Sequence, residues 1–320
     1  MTVIINTFWG GKVSQVVDRQ ISRRISRQKI STVDEESNKV VIVLTKDALL
    51  SIAYTGIAVA HSTWMDCIIA KCLAHRDLPN AMIQPGIPHL ARPAHVVINE
   101  LATNLNGKLN SDKRARNYDL TLSIVGFHLS GKRTPLEWEM KRGEIQKNGN
   151  RYFDVKMHSL GKFLRENPKG LRIEMFGDHG ETIEKGMAEL GKIEGFDHDD
   201  VENYVKDLVR KRAQETNTVS SECIAVQIDL KKPDSQIQVT FYPDEKAPLL
   251  SPWVLTPRLV CAPTIESSSN FPISECGKFV VGGFSDGNTN LNVLCRLPLE
   301  FREKDSGIID IKTQKRKRTQ

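Results

Sequence analysis

The chain has 320 residues, of which 26% are charged and 6% aromatic, a composition typical of a globular protein with a substantial core. It contains no apolar run of the ~20 residues that span a bilayer and no signal-peptide layout, so we expect a cytoplasmic protein without a membrane segment. The net charge of +6 falls to +1 without five basic residues in the last ten positions, which predicts a basic, disordered tail over 311–320.

The six cysteines indicate neither a disulfide framework nor a metal site. They lie singly in apolar contexts, without a CxxC pair or metal-ligand spacing, so we expect reduced, buried thiols and predict no metal and no cofactor. They are Cys67, Cys72, Cys223, Cys261, Cys276 and Cys295.

The first half of the chain is predicted to form strands and then helices. Alternating apolar runs around turn residues predict two hairpins, with strands Thr2–Trp9, Lys12–Asp18, Lys39–Leu44 and Leu49–Thr55. Apolar residues at helical spacing predict two helices, Ser62–His75 with Ser62 or Thr63 as N-cap, and Pro93–Leu105 ending at Asn106-Gly107. The segment 78–90 is predicted to be a loop.

The second half repeats this order. The pattern predicts four strands, namely Asp119–Leu129, Pro135–Met140, Tyr152–Met157 and Leu171–Phe176. It then predicts helices Glu181–Lys192 and Asp199–Glu215, followed by strands Glu222–Leu230 and Gln236–Tyr242.

Blocks of strands alternating with pairs of helices exclude a regular βαβ winding. Two antiparallel sheets packed face to face, with helix pairs on both outer surfaces, would bury every apolar face. We therefore predict an α+β fold, a four-layer αββα sandwich over residues 1–243. Residues 244–310, with short strand patterns at Lys278–Val281 and Leu291–Leu297, are predicted to form a small β-rich appendage before the tail.

The N-terminal residues suggest catalysis by a nucleophilic side chain. Thr2 follows the initiator Met, and a small residue at this position allows Met1 to be removed. A free N-terminal Thr then carries a nucleophilic hydroxyl and a basic α-amine on one residue. The Met-Thr dipeptide is common, so the residues that follow must support the hypothesis.

Those residues resemble the N-terminal nucleophile (Ntn) hydrolases, specifically the proteasome β-subunits and their bacterial proteasome-like relatives. In that family an Asp ends the second strand sixteen residues after the nucleophilic Thr, as Asp18 follows Thr2 here. A Lys opens the third strand, as Lys39 does before an apolar run. The fourth strand ends in a Gly turn, as in Ile52–Ala58. The similarity covers residues 2 to about 243.

The resemblance implies roles for these residues. Thr2 would attack an acyl carbon, Lys39 would favour the alkoxide, Asp18 would orient Lys39, and the Gly56 N–H would donate to the oxyanion. Each also has a structural interpretation, since Asp18 can end a strand in a turn and Lys39 can extend along a strand edge to solvent.

The chain departs from the family pattern at two places. Asp178 stands where the family has a Ser before its third helix. Asn217 and Ser220 stand where the family has an Asp and a Ser, so an amide replaces the acid and can donate hydrogen bonds but carries no charge. The site residues predicted from the resemblance are therefore Thr2, Asp18, Lys39, Gly56, Asp178, Asn217 and Ser220.

Three functions remain open from the sequence. The first is a threonine peptidase or amidase acting on a peptide or another amide, and the second is a catalytically inactive binding or assembly subunit of the same fold. The family also suggests a homo-oligomer. The third, a nucleic-acid-associated protein that uses the tail and the basic cluster at 19–29, is disfavoured because no zinc finger or RNP-like motif accompanies these charges.

Overall fold

The structure is a computed structural model of the chain. It describes residues 2–9, 12–24, 30–34, 38–60, 63–78, 83–129, 134–158, 160, 170–192, 198–229, 236–242, 252–262, 278–282 and 292–296. The Gly10-Gly11 turn and the basic tail lie outside these residues, as do the side chains of most of the cluster at 19–29.

One antiparallel sheet has seven strands among the described residues: β1 (Val3–Trp9), β2 (Lys12–Asp18), β13 (Arg172–Gly177), β14 (Cys223–Asp229), β15 (Gln236–Tyr242), β18 (Lys278–Gly282) and β19 (Asn292–Arg296). Their order across the sheet is β13-β1-β2-β14-β15-β18-β19. The N-terminal strand β1 lies between β13 and β2. The start of the chain is therefore held on both sides.

The second sheet has eight described strands: β5 (Val40–Leu44), β6 (Ala48–Gly56), β9 (Ile83–Pro85), β10 (Leu120–His128), β11 (Pro135–Arg142), β12 (Phe153–His158), β16 (Trp253–Leu255) and β17 (Leu259–Cys261). Their order across the sheet is β12-β11-β10-β6-β5-β16-β17-β9. The β5–β16 pair is parallel and the others are antiparallel.

Two short hairpins complete the strands, and the sequence pattern missed both. They are β3 (Ile21–Arg24) with β4 (Ile30–Asp34), and β7 (Val59–Ala60) with β8 (Thr63–Trp64). Segment 78–90, predicted as a loop, contains β9 and a 3₁₀ turn over Pro88–Ala91.

Four helices are described in full: α1 (Met65–Ala74), α2 (Ala94–Ser111), α3 (Gly180–Leu190) and α4 (His198–Glu215). The predicted start of α1 was wrong, because Thr63 and Trp64 pair with β7 and the N-cap position makes no side-chain hydrogen bond. The predicted end of α2 was also wrong. The helix continues past Gly107 because Leu109 extends its buried face.

The buried apolar side chains of the described residues form three clusters. One joins α1 and α2 to the eight-stranded sheet, through residues such as Ile69, Leu101 and Leu122. A second lies between the two sheets, where Ile4 and Phe8 of β1 meet strands β5, β6 and β10. A third joins α3 and α4 to the outer face of the seven-stranded sheet. The protein is thus an α+β molecule built on two largely antiparallel sheets.

The described strands beyond residue 243 extend both sheets. β16 pairs with β5 and its three residues are buried, while β18 pairs with β15. The division of the chain at residue 243 remains a prediction, but these strands contribute to the main sheets. None of the helices in the described part of the chain is long and apolar enough to cross a membrane.

Candidate functional site

Strand pairing brings three parts of the chain together at one end of the molecule. In the seven-stranded sheet Val3 lies opposite Gly177, and Asp18 lies opposite Cys223. In the eight-stranded sheet the same end holds Lys39, directly before β5, and Gly56, the last residue of β6. The site forms where these strand ends meet.

Thr2, Lys39 and Asp18 form the centre of the site. Lys39 Nζ donates to Thr2 Oγ1 at 2.8 Å and lies 3.2 Å from Asp18 Oδ2. It also donates to the backbone oxygen of Gln20 at 2.5 Å. Thr2 is 4% exposed, Lys39 1% and Asp18 0%. An ammonium has three N–H donors, and three acceptors around Lys39 fix its position beside the Thr2 hydroxyl.

Asp18 is held by backbone groups as well as by Lys39. The N–H of Val3 donates to Oδ1 at 2.7 Å, and the N–H of Gln20 donates to Oδ2 at 3.1 Å. Burial raises the pKa of the Asp18 carboxyl, while the charge of Lys39 and the Val3 N–H act to lower it. The carboxylate therefore depends on Lys39 to offset its desolvation.

The backbone carbonyl of Thr2 is fixed from the opposite side. The N–H of Asp178 donates to it at 2.9 Å and Thr55 Oγ1 donates at 3.3 Å. Gly177 has φ +87°, and a Cβ built there would lie 1.7 Å from the Thr2 oxygen. A glycine is required at 177 because any side chain would displace Thr2.

Asp178 binds two partners that the sequence did not predict. Arg212 Nη2 of α4 donates to Oδ1 at 2.7 Å, and Thr218 Oγ1 donates to Oδ2 at 2.5 Å. Burial acts to raise the pKa of Asp178, but these hydrogen bonds outweigh it and hold the pKa below its usual value. Asp178 is therefore a fixed negative charge one residue from Gly177.

The two remaining predicted residues join the site through their backbone atoms. The backbone oxygen of Asn217 accepts a hydrogen bond from Gln20 Nε2 at 2.5 Å, whereas the Asn217 side chain is exposed. The N–H of Ser220 lies 3.5 Å from Asp18 Oδ2, and its hydroxyl accepts from the N–H of Glu222 at 3.0 Å. Neither side chain contacts Thr2 among the described contacts.

Gly56 occupies a constrained turn beside Thr2. Its φ is +109°, and a Cβ built there would lie 2.2 Å from the backbone oxygen of Asp119. The same oxygen accepts the N–H of Ile57 at 2.9 Å. The preceding residue, Thr55, donates to the Thr2 carbonyl, so Gly56 is one residue along the chain from a contact with Thr2.

The structure thus brings together Thr2, Asp18, Lys39, Gly56 and Asp178, and it leaves the side chains of Asn217 and Ser220 at the margin. Four contributors escaped the sequence-based prediction. Thr55 adjoins Gly56, Gln20 closely follows Asp18, and Thr218 lies between Asn217 and Ser220, so nearness in sequence to predicted positions was a usable signal for these three. Arg212 gave no such signal, because only the fold brings it to Asp178.

Cys67, Cys72 and Cys223 are free thiols, of which Cys223 alone is buried, and they are poor alternative nucleophiles. Burial raises the pKa of Cys72 to about 11 and that of Cys223 to about 12, so both are thiols at neutral pH. Cys67 is half-buried, and burial raises its pKa as well. In the described part of the chain, no group of three His, Cys, Asp or Glu residues is arranged to hold a metal ion.

Comparison with known proteins gives matches among solved structures. No protein-family model matches the chain, and neither does any curated protein. Anbu from Hyphomicrobium sp. strain MC1 aligns with a TM-score of 0.44 at 6% identity, over 71% of this chain and 82% of that one. Anbu (ancestral beta-subunit) from Yersinia bercovieri gives 0.44 at 9% identity, over the same shares.

A third structure, described as the helical assembly of the Anbu complex from Pseudomonas aeruginosa, gives a TM-score of 0.43 at 9% identity. It covers 71% of this chain and 81% of that chain. Sequence identities below 10% and TM-scores below 0.5 indicate only a distant similarity in the backbone fold. The function proposed below rests on the geometry of the site.

Proposed function

We propose that the protein is an N-terminal-threonine amidohydrolase, a proteasome-like peptidase whose nucleophile is Thr2 Oγ1 after removal of Met1. One observation carries this proposal. Lys39 Nζ lies 2.8 Å from Thr2 Oγ1 in a buried site where Asp18 fixes the ammonium. A hydroxyl is a weak nucleophile until its proton is removed, and a desolvated positive charge beside it favours the alkoxide.

The base in this proposal is the α-amine of Thr2. Its pKa is about 8 in an unfolded chain, and the positive charge of Lys39 would lower it toward neutrality. The Oγ1 proton passes to the amine as Oγ1 bonds to the acyl carbon, and the proton then goes to the leaving amine as the C–N bond breaks. Water hydrolyses the resulting ester and regenerates the hydroxyl.

The Gly56 N–H is the proposed donor to the tetrahedral oxyanion. Its place one residue after Thr55, which contacts the Thr2 carbonyl, and its φ of +109° support this role, since a glycine lets a substrate approach the backbone closely. One such donor contributes a factor of roughly 10²–10³ in rate in acyl-transfer enzymes.

Asp178 is the proposed source of the negative charge that Asn217 cannot supply. Arg212 and Thr218 hold the Asp178 carboxylate in place, and its backbone N–H fixes the Thr2 carbonyl. A carboxylate near the new N-terminus would help to hold the protonated α-amine. The exposed Asn217 side chain would have no catalytic role.

Two further features belong to this proposal. The three apolar clusters support a four-layer αββα sandwich, in which each cluster lies between two layers.

A homo-oligomer also belongs to this proposal, with the exposed side chains of Tyr118, Ile145 and Tyr152 as candidates for its contact surface. Light scattering on the purified protein tests it, and a monomer at all concentrations would contradict it.

The second candidate is a catalytically inactive binding or assembly subunit of the same fold. It is favoured by the two departures at Asp178 and Asn217, which replace a hydroxyl and a carboxylate of the family pattern. An inactive subunit would keep the buried Lys39–Asp18 pair for structural reasons alone. The two candidates differ in whether the Thr2 hydroxyl reacts.

Hydrolysis of a panel of fluorogenic peptide amides by the untagged protein tests the peptidase proposal. We expect turnover that Thr2→Ala abolishes and that Thr2→Ser partly retains, because serine keeps the hydroxyl and the α-amine. Equal turnover by the wild-type protein and Thr2→Ala would assign the activity to a contaminant and contradict the proposal.

A further inference from the structure

Two buried arginines lie behind the turn that contains Gly56. Arg142 ends β11 and is 2% exposed, while Arg151 lies just before β12 and is 7% exposed. Both are linked to Asn110 of α2. Arg142 Nη2 donates to Asn110 Oδ1 at 3.0 Å, and the N–H of Arg151 donates to the same oxygen at 3.1 Å.

The two guanidinium groups bind the connection between α2 and β10 at several points. Arg142 Nη1 donates to the backbone oxygens of Ala115 at 2.8 Å and Tyr118 at 3.3 Å. Arg151 donates to the backbone oxygen of Asn117 at 3.3 Å and to Asp119 Oδ1 at 2.6 Å. Four acceptors within residues 115–119 are thus held by two side chains.

This connection in turn sets the geometry of the Gly56 turn. The Asp119 backbone oxygen accepts the Ile57 N–H at 2.9 Å and occupies the space that a Gly56 side chain would need. Movement of Asp119 would therefore move the peptide groups of Gly56 and Ile57. Burial and the neighbouring Arg151 lower the pKa of Arg142, as expected for two guanidinium groups packed closely.

A simpler structural role for these arginines is to close the end of the sheet. That role explains hydrogen bonds within the connection between β11 and β12, such as Arg151 Nε to the Gly143 oxygen at 2.6 Å. It does not explain why the remaining bonds converge on the segment that contacts Gly56. The convergence is the observation that calls for a second role.

We propose that Arg151 and Arg142 are positioning residues for the Gly56 N–H, acting through residues 115–119 and the Asp119 carbonyl. The role rests on the proposed function, in which this N–H donates to the oxyanion. Neither arginine touches the substrate. Displacement of a hydrogen-bond donor by about 1 Å can lower the reaction rate roughly 10²-fold. Arginines that fix the Gly56 N–H through other residues would therefore affect the rate without contacting the substrate.

The test compares Arg151→Gln with Asp119→Ala in the full chain. Asp119 has a side chain that is 87% exposed, so its truncation leaves the fold intact even if Arg151→Gln does not fold. Arg76→Gln is the control, because Arg76 Nη2 likewise donates to two backbone oxygens, those of Pro85 and Gly86, at the other edge of the sheet.

Two readouts are measured. Amide hydrogen exchange of the peptide that contains Ile57 should rise about tenfold in Arg151→Gln and several-fold in Asp119→Ala, with exchange in β1 and β2 unchanged. Acylation of Thr2 by a peptide epoxyketone should slow about tenfold or more at saturation, with the half-saturating probe concentration within about twofold of wild type. Arg76→Gln should change neither.

The outcomes separate this inference from the proposed function. Unchanged exchange at Ile57 in every variant that folds overturns the positioning role, whether or not Thr2 is acylated. Increased exchange with an unchanged acylation rate overturns it as well. If the wild-type protein forms no adduct at Thr2, the proposed function is overturned, even where the variants show the expected exchange at Ile57. The two arginines would then have no role in catalysis.

Discussion

Lys39 is the residue whose environment best explains the site. It is 1% exposed and lies within 3.2 Å of three oxygens, from a hydroxyl, a carboxylate and a backbone carbonyl. A buried lysine requires strong compensation, which Asp18 supplies as a charge. The hydroxyl of Thr2 is the one uncharged side chain among the three acceptors, and it is the group that the ammonium can activate.

Replacement of Lys39 should abolish activity and destabilise the fold for separable reasons. We expect Lys39→Met to lower the hydrolysis rate by about 10² or more, because the alkoxide loses its neighbouring charge. The variant should also lose about 3–5 kcal/mol in the free energy of unfolding, since Asp18 stays buried without its partner. Denaturant unfolding and peptide hydrolysis measure the two effects.

A second substitution separates the two effects. Lys39→Met combined with Asp18→Asn removes both charges, so stability should return towards that of wild type while activity stays lost. Lys71→Met is a matched control, because Lys71 pairs with an exposed Asp77 and should change stability by under about 1 kcal/mol. Activity in the double variant at the wild-type level would contradict a catalytic role for Lys39.

Asp178 and Asn217 should differ sharply in their tolerance to substitution. Asn217→Ala should keep activity within about twofold, because its exposed side chain makes none of the described contacts and its backbone oxygen is retained. Asp178→Asn should lower activity about tenfold or more, since an amide cannot supply the charge that Arg212 binds. Steady-state hydrolysis measures both. If Asn217→Ala lost activity and Asp178→Asn did not, Asn217 and not Asp178 would be the residue that the reaction requires.

The resemblance implied the central residues of the site, and the predicted strands placed them at strand ends. Thr2, Asp18 and Lys39 lie at or beside the ends of β1, β2 and β5, and the packing of the two sheets brings Lys39 to the other two residues. Arg212 could not be found in the same way, because it reaches Asp178 from the last turns of a helix 34 residues away. The exposed position of the Asn217 side chain also depends on the path of a loop.

A cluster of polar side chains is buried between the two sheets. Asn6 Nδ2 of β1 donates to Ser123 Oγ at 2.7 Å and lies 3.4 Å from Glu137 Oε1 of β11. The Glu137 side chain is 0% exposed, with Arg172 Nη2 of β13 at 3.6 Å. Burial, and then the charge of Glu174, raises the pKa of Glu137 to about 7.

This raised pKa predicts a pH dependence of stability. The folded protein binds the Glu137 proton more tightly than the unfolded chain does, so the contribution to stability is complete below about pH 4.5 and is lost as the pH rises through about 7. Between pH 5 and pH 8 the wild-type protein should lose about 2–3 kcal/mol more than Glu137→Gln does.

Urea unfolding at a series of pH values measures this difference. Glu139→Gln is the matched control, because Glu139 is on the same strand but has a side chain that is 24% exposed. Its stability profile should follow that of wild type. Parallel profiles for wild type and Glu137→Gln would show that Glu137 does not titrate in this range.

Long apolar patterns were the most predictable elements. Apart from β9, the strands from β1 to β15 in the two main sheets lie where alternation predicted them, within one or two residues at most ends, because their buried side chains fix the register. Short hairpins such as β7–β8 were missed, since two-residue strands have no period to detect. The ends of the helices depended on packing. The helix α2 continues beyond Gly107 because its buried apolar face extends to Leu109.

At the scale of the whole molecule, the C-terminal strands belong to the main sheets. Trp253, Val254 and Leu255 are at most 4% exposed and pair with the buried strand β5. The sequence predicted an appendage here because the parallel pairing of β16 with β5 joins segments about 200 residues apart, which no local pattern reveals.

Removal of all residues after 242 should therefore prevent cooperative folding, because β5 would lose β16, one of its two neighbours, and the core beside α1 and α2 would lose Trp253. Removal of residues 311–320 alone should leave the melting temperature within a few degrees of wild type. Thermal unfolding followed by circular dichroism compares the two. A sharp, wild-type-like transition in the shorter protein would establish residues 1–242 as an independent domain.

The most direct test of the central claim is the intact mass of the untagged protein after incubation with a threonine-directed peptide epoxyketone. The proposed function predicts loss of Met1 and one covalent adduct, located on the N-terminal peptide and absent from Thr2→Ala. A protein that retains Met1 and forms no adduct would contradict the hydrolase assignment and favour a binding or assembly subunit.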